Sequence, residues 1–285
     1  MTPFAIAGLQ LELSAQDDNL TRIASRIAYT CSHFPFVQMV VLSELCAFGP
    51  SVTHAQHLPG HAEEILTQLA RKHHVWLISG SLFEKAGHHI YNTASVISPE
   101  GTVIARHRKL FPFRPYETGV ESGDSFCVFD IPNIGRFGVI ICYDLWFPET
   151  TRTLAAMGVE AILHPCMTTT VDRDVELAMT RASAAMNQCY IFSINGAGGV
   201  GNGRSIVAAP NGDVLYQAGQ VEEIIPLEIN LDRVRREREV GMWGLGQPLK
   251  SFRDRKVAFS VYQERSAYLD SLGPLEKFSN KPTGK

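Results

Sequence analysis

Residues Arg136 to Glu149, with the sequence R-F-G-V-I-I-C-Y-D-L-W-F-P-E, decide the fold of this 285-residue chain. Phe137 to Ile141 is a short apolar run rich in β-branched residues, which is typical of a strand buried on both faces in a helix-covered sheet. Pro148 and Glu149 then suit the first turn of a helix. Cys142 is therefore predicted on a turn between a strand and a helix, a position from which a nucleophile reaches the rim of a sheet.

The composition indicates an ordinary globular protein. Hydrophobic residues make up 45% of the chain and charged residues 19%, and a net charge of -3 argues against a nucleic-acid partner. The six cysteines are widely spaced and form no C-x-x-C pair, which favours reduced thiols. The chain shows neither a basic, apolar leader nor an apolar run long enough to cross a membrane. We therefore expect a cytoplasmic protein without a membrane partner.

Patterns typical of strands and helices alternate along the chain. Strands are predicted at 4–10, 38–42, 75–80, 126–130, 137–141, 159–165, 189–194, 205–209 and 214–217. Helices are predicted at 19–31, 61–73, 148–158 and 173–187. Two alternating runs between 88 and 108 flank the turn at Pro99 to Gly101, which predicts an antiparallel hairpin. This mixture favours two sheets packed face to face, each covered on its outer side by helices.

Residues 1–262 contain no linker and no low-complexity segment, so we expect one domain. Near the end of the chain, residues 231–239 are highly charged and residues 241–247 are rich in glycine. The last five residues read K-P-T-G-K and carry no strand or helix pattern. We expect residues 263–285 to form a C-terminal tail that is either loose or an arm along a partner subunit.

Two ionisable residues follow the ends of other predicted strands, as Cys142 does. Glu44 follows the strand at 38–42, and Lys109 follows the predicted hairpin. A cysteine nucleophile needs a base, a cation or dipole, and donors for the oxyanion. If the three residues meet at one rim, Glu44 takes the thiol proton, while Lys109 lowers the thiol pKa and stabilises the oxyanion together with the Tyr143 backbone N–H. The alternative is that neither Glu44 nor Lys109 is catalytic. R-H-R-K is typical of a solvated charged run, and a glutamate after a strand is often a surface or cap residue.

Four segments resemble motifs of the carbon–nitrogen hydrolases of the nitrilase superfamily, in the order found in that family. They are S-E-L-C at 43–46, H-R-K-L-F at 107–111, G-V-I-I-C-Y-D-L-W-F-P-E at 138–149 and G-R-S-I-V-A-A-P-N-G-D at 203–213. The resemblance covers about residues 4–262 and implies an α-β-β-α sandwich, usually paired through the helices on the cysteine side. It also implies a triad of Glu44, Lys109 and Cys142 that works through a thioester, without a cofactor or a metal. One departure is Ser43, which stands where the family commonly has proline.

The same resemblance implies a second glutamate in the loop after the lysine. Glu117 and Glu121 both lie in that loop. Glu121 is very close to the turn at Gly123 and Asp124, so we favour Glu117.

The residues around the cysteine give clues to the substrate. Cys142, Tyr143 and Asp144 resemble the amidase and carbamoylase branches more than nitrile-cleaving members, which tend to carry Cys-Trp-Glu. Relatives acting on dicarboxylic monoamides often have arginine where this chain has Trp146, and tryptophan there resembles the carbamoylputrescine amidases. Tryptophan offers a flat wall for a neutral or cationic substrate, although it could instead pack under the helix.

The strand that ends at His164 and Pro165 is predicted to point at the same pocket. It would place Met167 and Thr168, after Cys166, on the pocket wall next to Tyr143 and Trp146. Arg173 is the nearest charged candidate for a substrate carboxylate, which keeps acidic amides open as substrates.

Two other patterns resemble a dinucleotide-binding site and a metal site, but the sequence around them argues against both. Residues Ile194 to Gly201 contain G-x-G-x-x-G after a strand, but a strand and a turn follow where a dinucleotide site needs a helix. His54, His57 and His61 have metal-like spacing, but Pro59 and Gly60 break any helix that would align them.

The sequence therefore predicts a hydrolase that cleaves a carbon–nitrogen bond of a small amide or N-carbamoyl compound and forms a homodimer or higher homo-oligomer. The alternatives among enzymes are a nitrilase acting on a small nitrile, an enzyme that transfers the acyl group to an amine instead of water, and a version in which His107 or His164 serves Cys142 as base. A non-catalytic binding or regulatory protein on the same fold is the alternative of another class.

Overall fold

Two β-sheets face each other in the computed structural model, which describes residues 2–264 and 266–275. In chain order, the strands are β1 (Pro3–Gln10), β2 (Glu12–Leu13), β3 (Met39–Val41), β4 (Trp76–Ile78), β5 (Leu82–Ala86), β6 (His89–Ile97), β7 (Val103–Arg108), β8 (Val120–Glu121), β9 (Cys127–Ile131), β10 (Gly135–Val139), β11 (Ala161–Cys166), β12 (Tyr190–Asn195), β13 (Ala197–Gly198), β14 (Ile206–Ala208), β15 (Val214–Gln217) and β16 (Glu223–Asn230). The α-helices are α1 (Leu20–His33), α2 (His61–His73), α3 (Pro148–Ala156), α4 (Asp172–Asn187), α5 (Leu231–Val240), α6 (Pro248–Arg253) and α7 (Ala267–Asp270).

The first sheet has the order β16-β1-β3-β4-β6-β5, and β7 and β8 also pair with β6. The second sheet has the order β15-β14-β12-β11-β10-β9. Each sheet contains a parallel trio, β1, β3 and β4 in the first and β10, β11 and β12 in the second. Parallel neighbours end at the same edge of a sheet, so each trio brings the residues that follow its strands to one rim.

Side chains on β10 show how the layers form. Phe137 and Val139 point into the core between the two sheets, and Ile140 packs in the cluster beneath α3 and α4. The corresponding outer cluster of the first sheet packs against α1 and α2. Gly138 allows α3 to approach closely, because a Cβ there would lie 3.1 Å from Leu154. The expected α-β-β-α sandwich is confirmed.

Several elements were not predicted from the sequence, and β5, β16 and α5 are the most substantial of them. β5 forms a hairpin with β6 around Gly87, and β16 pairs with β1 along its whole length. Pro226 lies within β16, where its missing N–H is tolerated because this strand is at the edge of the sheet. The charged residues after β16 form α5, whose Leu231 and Val234 are buried.

The described part of the chain contains no helix long and apolar enough to cross a membrane. It also contains no group of three or more His, Cys, Asp or Glu side chains arranged to hold a metal ion. The end K-P-T-G-K lies outside the described residues. The tail as an inter-subunit arm, the homo-oligomer and the cytoplasmic location stay predictions.

Candidate active site

Cys142 lies on a tight turn just after β10. Its backbone has a φ of 44°, in the left-handed region that residues other than glycine rarely adopt. Residues Cys142–Trp146 form a short 3-10 helix, and α3 begins at Pro148. Strand, turn and helix follow in the predicted order, with this 3-10 turn between the cysteine and α3.

Glu44, Lys109 and Glu117 form a buried ionic cluster beside Cys142. Lys109 Nζ lies 2.8 Å from Glu44 Oε1 and 2.7 Å from Glu117 Oε2. Asn92 Nδ2 donates to both carboxylates, at 2.9 Å to Glu44 Oε1 and 3.1 Å to Glu117 Oε1. Cys142 lines the same cavity as Glu44, Lys109 and Glu117. The structure thus brings the four residues predicted as catalytic into one place.

The strand directions explain why these side chains meet. β6 runs antiparallel to both β4 and β7, so β7 ends at the same edge as β3 and β4 and delivers Lys109 beside Glu44. The Glu44 backbone N–H donates to the Cys166 carbonyl at 3.1 Å and joins this edge to the end of β11 in the second sheet. β10 is parallel to β11, so Cys142 reaches the same rim.

Burial and charge shift the pKa values within the cluster. Burial raises the pKa of Glu44, and the Lys109 ammonium only partly offsets that rise. Burial by itself lowers the pKa of Lys109, but the negative carboxylates of Glu44 and Glu117 hold it well above its usual value. Burial, together with nearby Glu44, raises the pKa of the Cys142 thiol well above its usual value. Lys109 lowers that thiol pKa as predicted, but burial outweighs it, so the resting thiol keeps its proton.

The structure places Glu117, and not Glu121, next to Lys109. Glu117 also accepts a hydrogen bond from the Phe113 backbone N–H, which fixes the loop after the lysine. The Glu121 side chain is 48% exposed on β8 and lies 3.8 Å from His89.

A cavity with two halves opens at Cys142, and the halves share Phe113, Tyr116, Cys142 and Met167. The first half, of about 360 Å³, is also lined by Glu44, Leu45, Pro50, Ser51, Val52, Phe83, Lys109, Glu117, Thr118 and Val120. The second half, of about 320 Å³, is also lined by Tyr143, Trp146, Thr168, Thr169, Thr170, Asp172 and Glu176. Cavities of this size and largely apolar lining suit a small-molecule substrate.

All four residues predicted to contact the substrate line this cavity. The Tyr143 ring centroid lies 4.9 Å from that of Phe113 and 5.8 Å from that of Trp146, which gives the second half an aromatic wall. No described residue accepts a hydrogen bond from the Tyr143 backbone N–H, so this group can donate to a substrate oxygen. Met167 lies in both halves, whereas the Thr168 hydroxyl already donates to Glu176 Oε2 at 2.7 Å.

Neither histidine considered as a base pairs with the Cys142 thiol. His107 is buried, and its Nε2 lies 2.9 Å from Asp144 Oδ2. His164 is also buried, and its Nε2–H donates to the Cys142 backbone carbonyl at 3.0 Å. Burial lowers the pKa of His164 to about 4, so the ring is neutral at neutral pH. This geometry favours Glu44 over either histidine as the base.

Arg173 does not line the cavity. The residue is 1% exposed, and its guanidinium donates to Glu176 Oε2 at 3.0 Å and to the Arg204 carbonyl at 2.9 Å. A further hydrogen bond of 3.2 Å reaches Ser193 Oγ on β12. The expectation that Arg173 binds a substrate carboxylate is therefore wrong for this structure, because its donors are used inside the core.

Three residues that contribute to the site were not predicted from the sequence. Asn92 bridges two carboxylates, but in the sequence it is one polar residue within a strand pattern. Phe113 and Tyr116 line both halves of the cavity. The only available signal for them was the aromatic, proline-punctuated loop F-P-F-R-P-Y-E directly after Lys109.

Comparison with known proteins adds independent findings. The sequence profile described as carbon-nitrogen hydrolase matches residues 5–239. Omega-amidase NIT2-A from Xenopus laevis is 32% identical over 262 residues, covering 84% of this chain and 93% of the relative. Omega-amidase NIT2 from Homo sapiens is 32% identical over 261 residues with the same coverage. The crystal structure of Saccharomyces cerevisiae Nit3, a member of branch 10 of the nitrilase superfamily, has a TM-score of 0.77 at 28% identity and covers 84% of this chain and 94% of that one.

Proposed function

Because this chain belongs to the carbon–nitrogen hydrolase family of the nitrilase superfamily, we propose that it hydrolyses a small amide through a thioester on Cys142. The observation that supports the proposal best is that Cys142 shares a cavity of small-molecule size with the buried ion pairs of Lys109 with Glu44 and Glu117. The names of the omega-amidase relatives support an amide as the substrate.

In the first step the Cys142 sulfur attacks the amide carbonyl carbon while Glu44 takes the thiol proton. The raised pKa of the Glu44 carboxyl makes it a stronger base than an exposed glutamate. Lys109 uses two of its three N–H donors on Glu44 and Glu117, which leaves one for the developing oxyanion. The Tyr143 backbone N–H supplies a second donor. The C–N bond then breaks, and the proton held by Glu44 goes to the leaving nitrogen, so ammonia departs and the acyl group stays on sulfur.

In the second step water hydrolyses the thioester. Glu44, again a carboxylate, removes a proton from the water as it attacks the acyl carbon, and that proton returns to the departing Cys142 sulfur. The products are a carboxylic acid and the free thiol. Glu117 keeps Lys109 in place through the 2.7 Å ion pair and does not exchange a proton in this scheme.

The charge of the cavity lining restricts the substrate. The charged side chains among the lining residues are the carboxylates of Glu44, Glu117, Asp172 and Glu176 and the single ammonium of Lys109. Lys109 is already paired with two carboxylates, so a substrate carboxylate would meet repulsion and no free cation. We therefore propose a neutral or cationic amide, which also suits the aromatic wall of the second half.

Intact-protein mass spectrometry with parallel ammonia detection tests the thioester. We expect wild type to release ammonia from small amides and to carry a transient acyl adduct, and we expect Cys142→Ala to do neither. Cys31→Ala is the matched control, because Cys31 is also half-buried but lies on α1 outside the cavity. Full turnover by Cys142→Ala would overturn the mechanism.

Three amides of equal chain length test the substrate charge. Pentanamide, 5-aminopentanamide and glutaramic acid present the same primary amide with a neutral, cationic and anionic far end. We expect kcat/KM for glutaramic acid to be about 10²-fold below that for pentanamide, since each 1.4 kcal/mol of repulsion gives a factor of ten. A preference for glutaramic acid would contradict the proposed substrate class.

The remaining candidates differ in the bond that is cleaved. Pentanamide, N-butylurea and pentanenitrile carry similar aliphatic chains on an amide, an N-carbamoyl group and a nitrile. Turnover of the urea above that of the amide would favour the N-carbamoyl alternative, and turnover of the nitrile would favour a nitrilase. Absence of turnover and of adduct with all three would favour a non-catalytic protein.

A further inference from the structure

The backbone at Cys142 is held in an unfavourable conformation. A φ of 44° is rare for a residue with a side chain, and such a conformation persists only where the surrounding structure enforces it. Two polar backbone groups flank this strained residue and are bound by side chains: the N–H of Ile141, just before the cysteine, and the carbonyl of Cys142 itself. Each is bound by one buried side chain, neither of which lines the cavity.

Asp144 binds the first of these groups. Its Oδ2 accepts hydrogen bonds from the Ile141 backbone N–H at 3.0 Å and from His107 Nε2 at 2.9 Å. Its Oδ1 accepts one from the Phe111 backbone N–H at 2.9 Å. Asp144 has no exposed surface.

His107 and Phe111 stand two residues before and two residues after Lys109. The Asp144 carboxylate therefore ties the turn of the nucleophile to both sides of the lysine segment. His107 is buried as well, so water does not compete for this link.

His164 binds the second group. Its Nε2–H donates to the Cys142 carbonyl at 3.0 Å, and Cys166 Sγ lies 3.3 Å from this Nε2 and 3.5 Å from Nδ1. Burial lowers the pKa of His164 to about 4 and raises that of Cys166 to about 12. Both groups are thus neutral at neutral pH, and the ring offers the carbonyl a stable donor.

We propose that Asp144 and His164 are positioning residues that hold the left-handed turn at Cys142. This turn fixes the positions of the thiol and of the Tyr143 N–H relative to Lys109. The inference rests on the proposed role of Cys142 as nucleophile. Neither residue touches the cavity, so both act through the placement of other groups. A displacement of about 1 Å in such groups lowers a rate by about 10²-fold.

Three substitutions test the proposal in a Cys31→Ala background, which removes the other half-buried thiol. Asp144→Asn places an amide NH2 against one of the three donors. His164→Leu removes the donor to the Cys142 carbonyl, whereas His164→Gln keeps one. Glu63→Gln is the matched control, because Glu63 is a buried carboxylate that binds Ser95 and Arg106 outside the cavity. The readouts are the thermal midpoint, kcat and KM, and the pH profile of Cys142 alkylation by iodoacetamide.

We expect Asp144→Asn and His164→Leu to lose about 10²-fold in kcat at nearly constant KM. Their alkylation profiles should shift along the pH axis, while His164→Gln stays within about threefold of wild type in kcat. Glu63→Gln should lower only the thermal midpoint. If the folded Asp144→Asn and His164→Leu proteins match wild type in both kcat and alkylation profile, the proposal is wrong.

Alkylation separates this inference from the proposed function. If wild type cleaves no amide in the series, the proposed function fails, and the alkylation profiles still decide whether the two residues place the thiol. If Asp144→Asn does not fold, the two His164 variants decide: equal profiles for leucine and glutamine would overturn the role of the donor.

Discussion

Each half of the cavity at Cys142 contains a buried cluster of charged side chains, and the two clusters differ in how their cation is used. In the first half Lys109 lies between Glu44 and Glu117, so two carboxylates share one ammonium. In the second half the Glu176 carboxylate pairs with Arg173 at 3.0 Å. Arg173 itself lies behind the cavity wall.

The difference follows from the chemistry of the two cations. The guanidinium of Arg173 has five donors in a fixed plane, and Glu176, Ser193 and the Arg204 carbonyl satisfy it as a structural anchor. The ammonium of Lys109 is compact and keeps a donor for a reacting oxygen. A buried ion pair is therefore not in itself a sign of catalysis: the reactive cluster is the one with excess carboxylate, a thiol and access to the cavity.

The largest effect should come from removing the two cations in turn. Lys109→Met should lower kcat by about 10³-fold or more, because it removes the oxyanion donor and leaves two carboxylates unpaired. Arg173→Met should instead cost about 3–5 kcal/mol in the free energy of unfolding, with much smaller loss of kcat per folded molecule. Urea unfolding and steady-state kinetics measure both. A loss of kcat for Arg173→Met as large as that for Lys109→Met would erase the distinction between the clusters.

The second glutamate gives the next largest effect. Glu117→Gln weakens the ion pair that holds Lys109 and should lower kcat by about 10²-fold. Glu121→Gln is the matched control, since Glu121 is half exposed in the same loop region, and it should stay within about twofold of wild type. Steady-state kinetics on the best amide compares the two, and equal losses would show that the contact with Lys109 does not matter.

Next to the structural ion pair of Arg173 and Glu176, His164 should make the stability of the fold sensitive to acid. Burial is the main cause of its low pKa of about 4, with Glu176, Asp144 and the Cys142 carbonyl acting in the opposite direction and Arg173 reinforcing it. The unfolded chain takes up this proton below about pH 6.5, whereas the folded protein takes it up only near pH 4, so stability falls as the pH drops from 6.5 to 4.

Urea unfolding at pH 7 and pH 4.5 measures this contribution. Between pH 7 and pH 4.5, we expect the free energy of unfolding of His164→Gln to fall by roughly 2–3 kcal/mol less than that of wild type, because glutamine does not titrate there. The thermal midpoint at pH 7 serves as a control for folding. An unchanged acid sensitivity in His164→Gln would mean that His164 is not the group that responds.

The smallest effect concerns the aromatic wall. Trp146→Leu should raise KM roughly three- to tenfold with little change in kcat, because about 1 kcal/mol of contact with the substrate is lost. Trp76→Leu is a control tryptophan, packed between the sheets against Phe129, and should change stability without changing KM. If Trp146→Leu changes only the thermal midpoint, the residue packs under α3 and does not contact the substrate.

The sequence was a good guide where local signals sufficed. The apolar run before Cys142 and the proline after it predicted a strand and a helix, which the structure has as β10 and α3. The same kind of periodicity indicated α1, α2 and α4 to within a few residues. It failed at β16, because Pro226 argues against a strand until its edge position is known.

The layered fold and the residues that could react follow from the amino-acid sequence alone, because periodicity, turn residues and the order of strand ends act over short stretches of chain. How those residues are used depends on tertiary packing. It paired Lys109 with a glutamate 65 positions away and inserted Asn92 between two carboxylates. It also turned Arg173 into the core and set His164 on the backbone of the nucleophile. These outcomes depend on distances between side chains from different strands and helices, which are fixed only when the two sheets pack together.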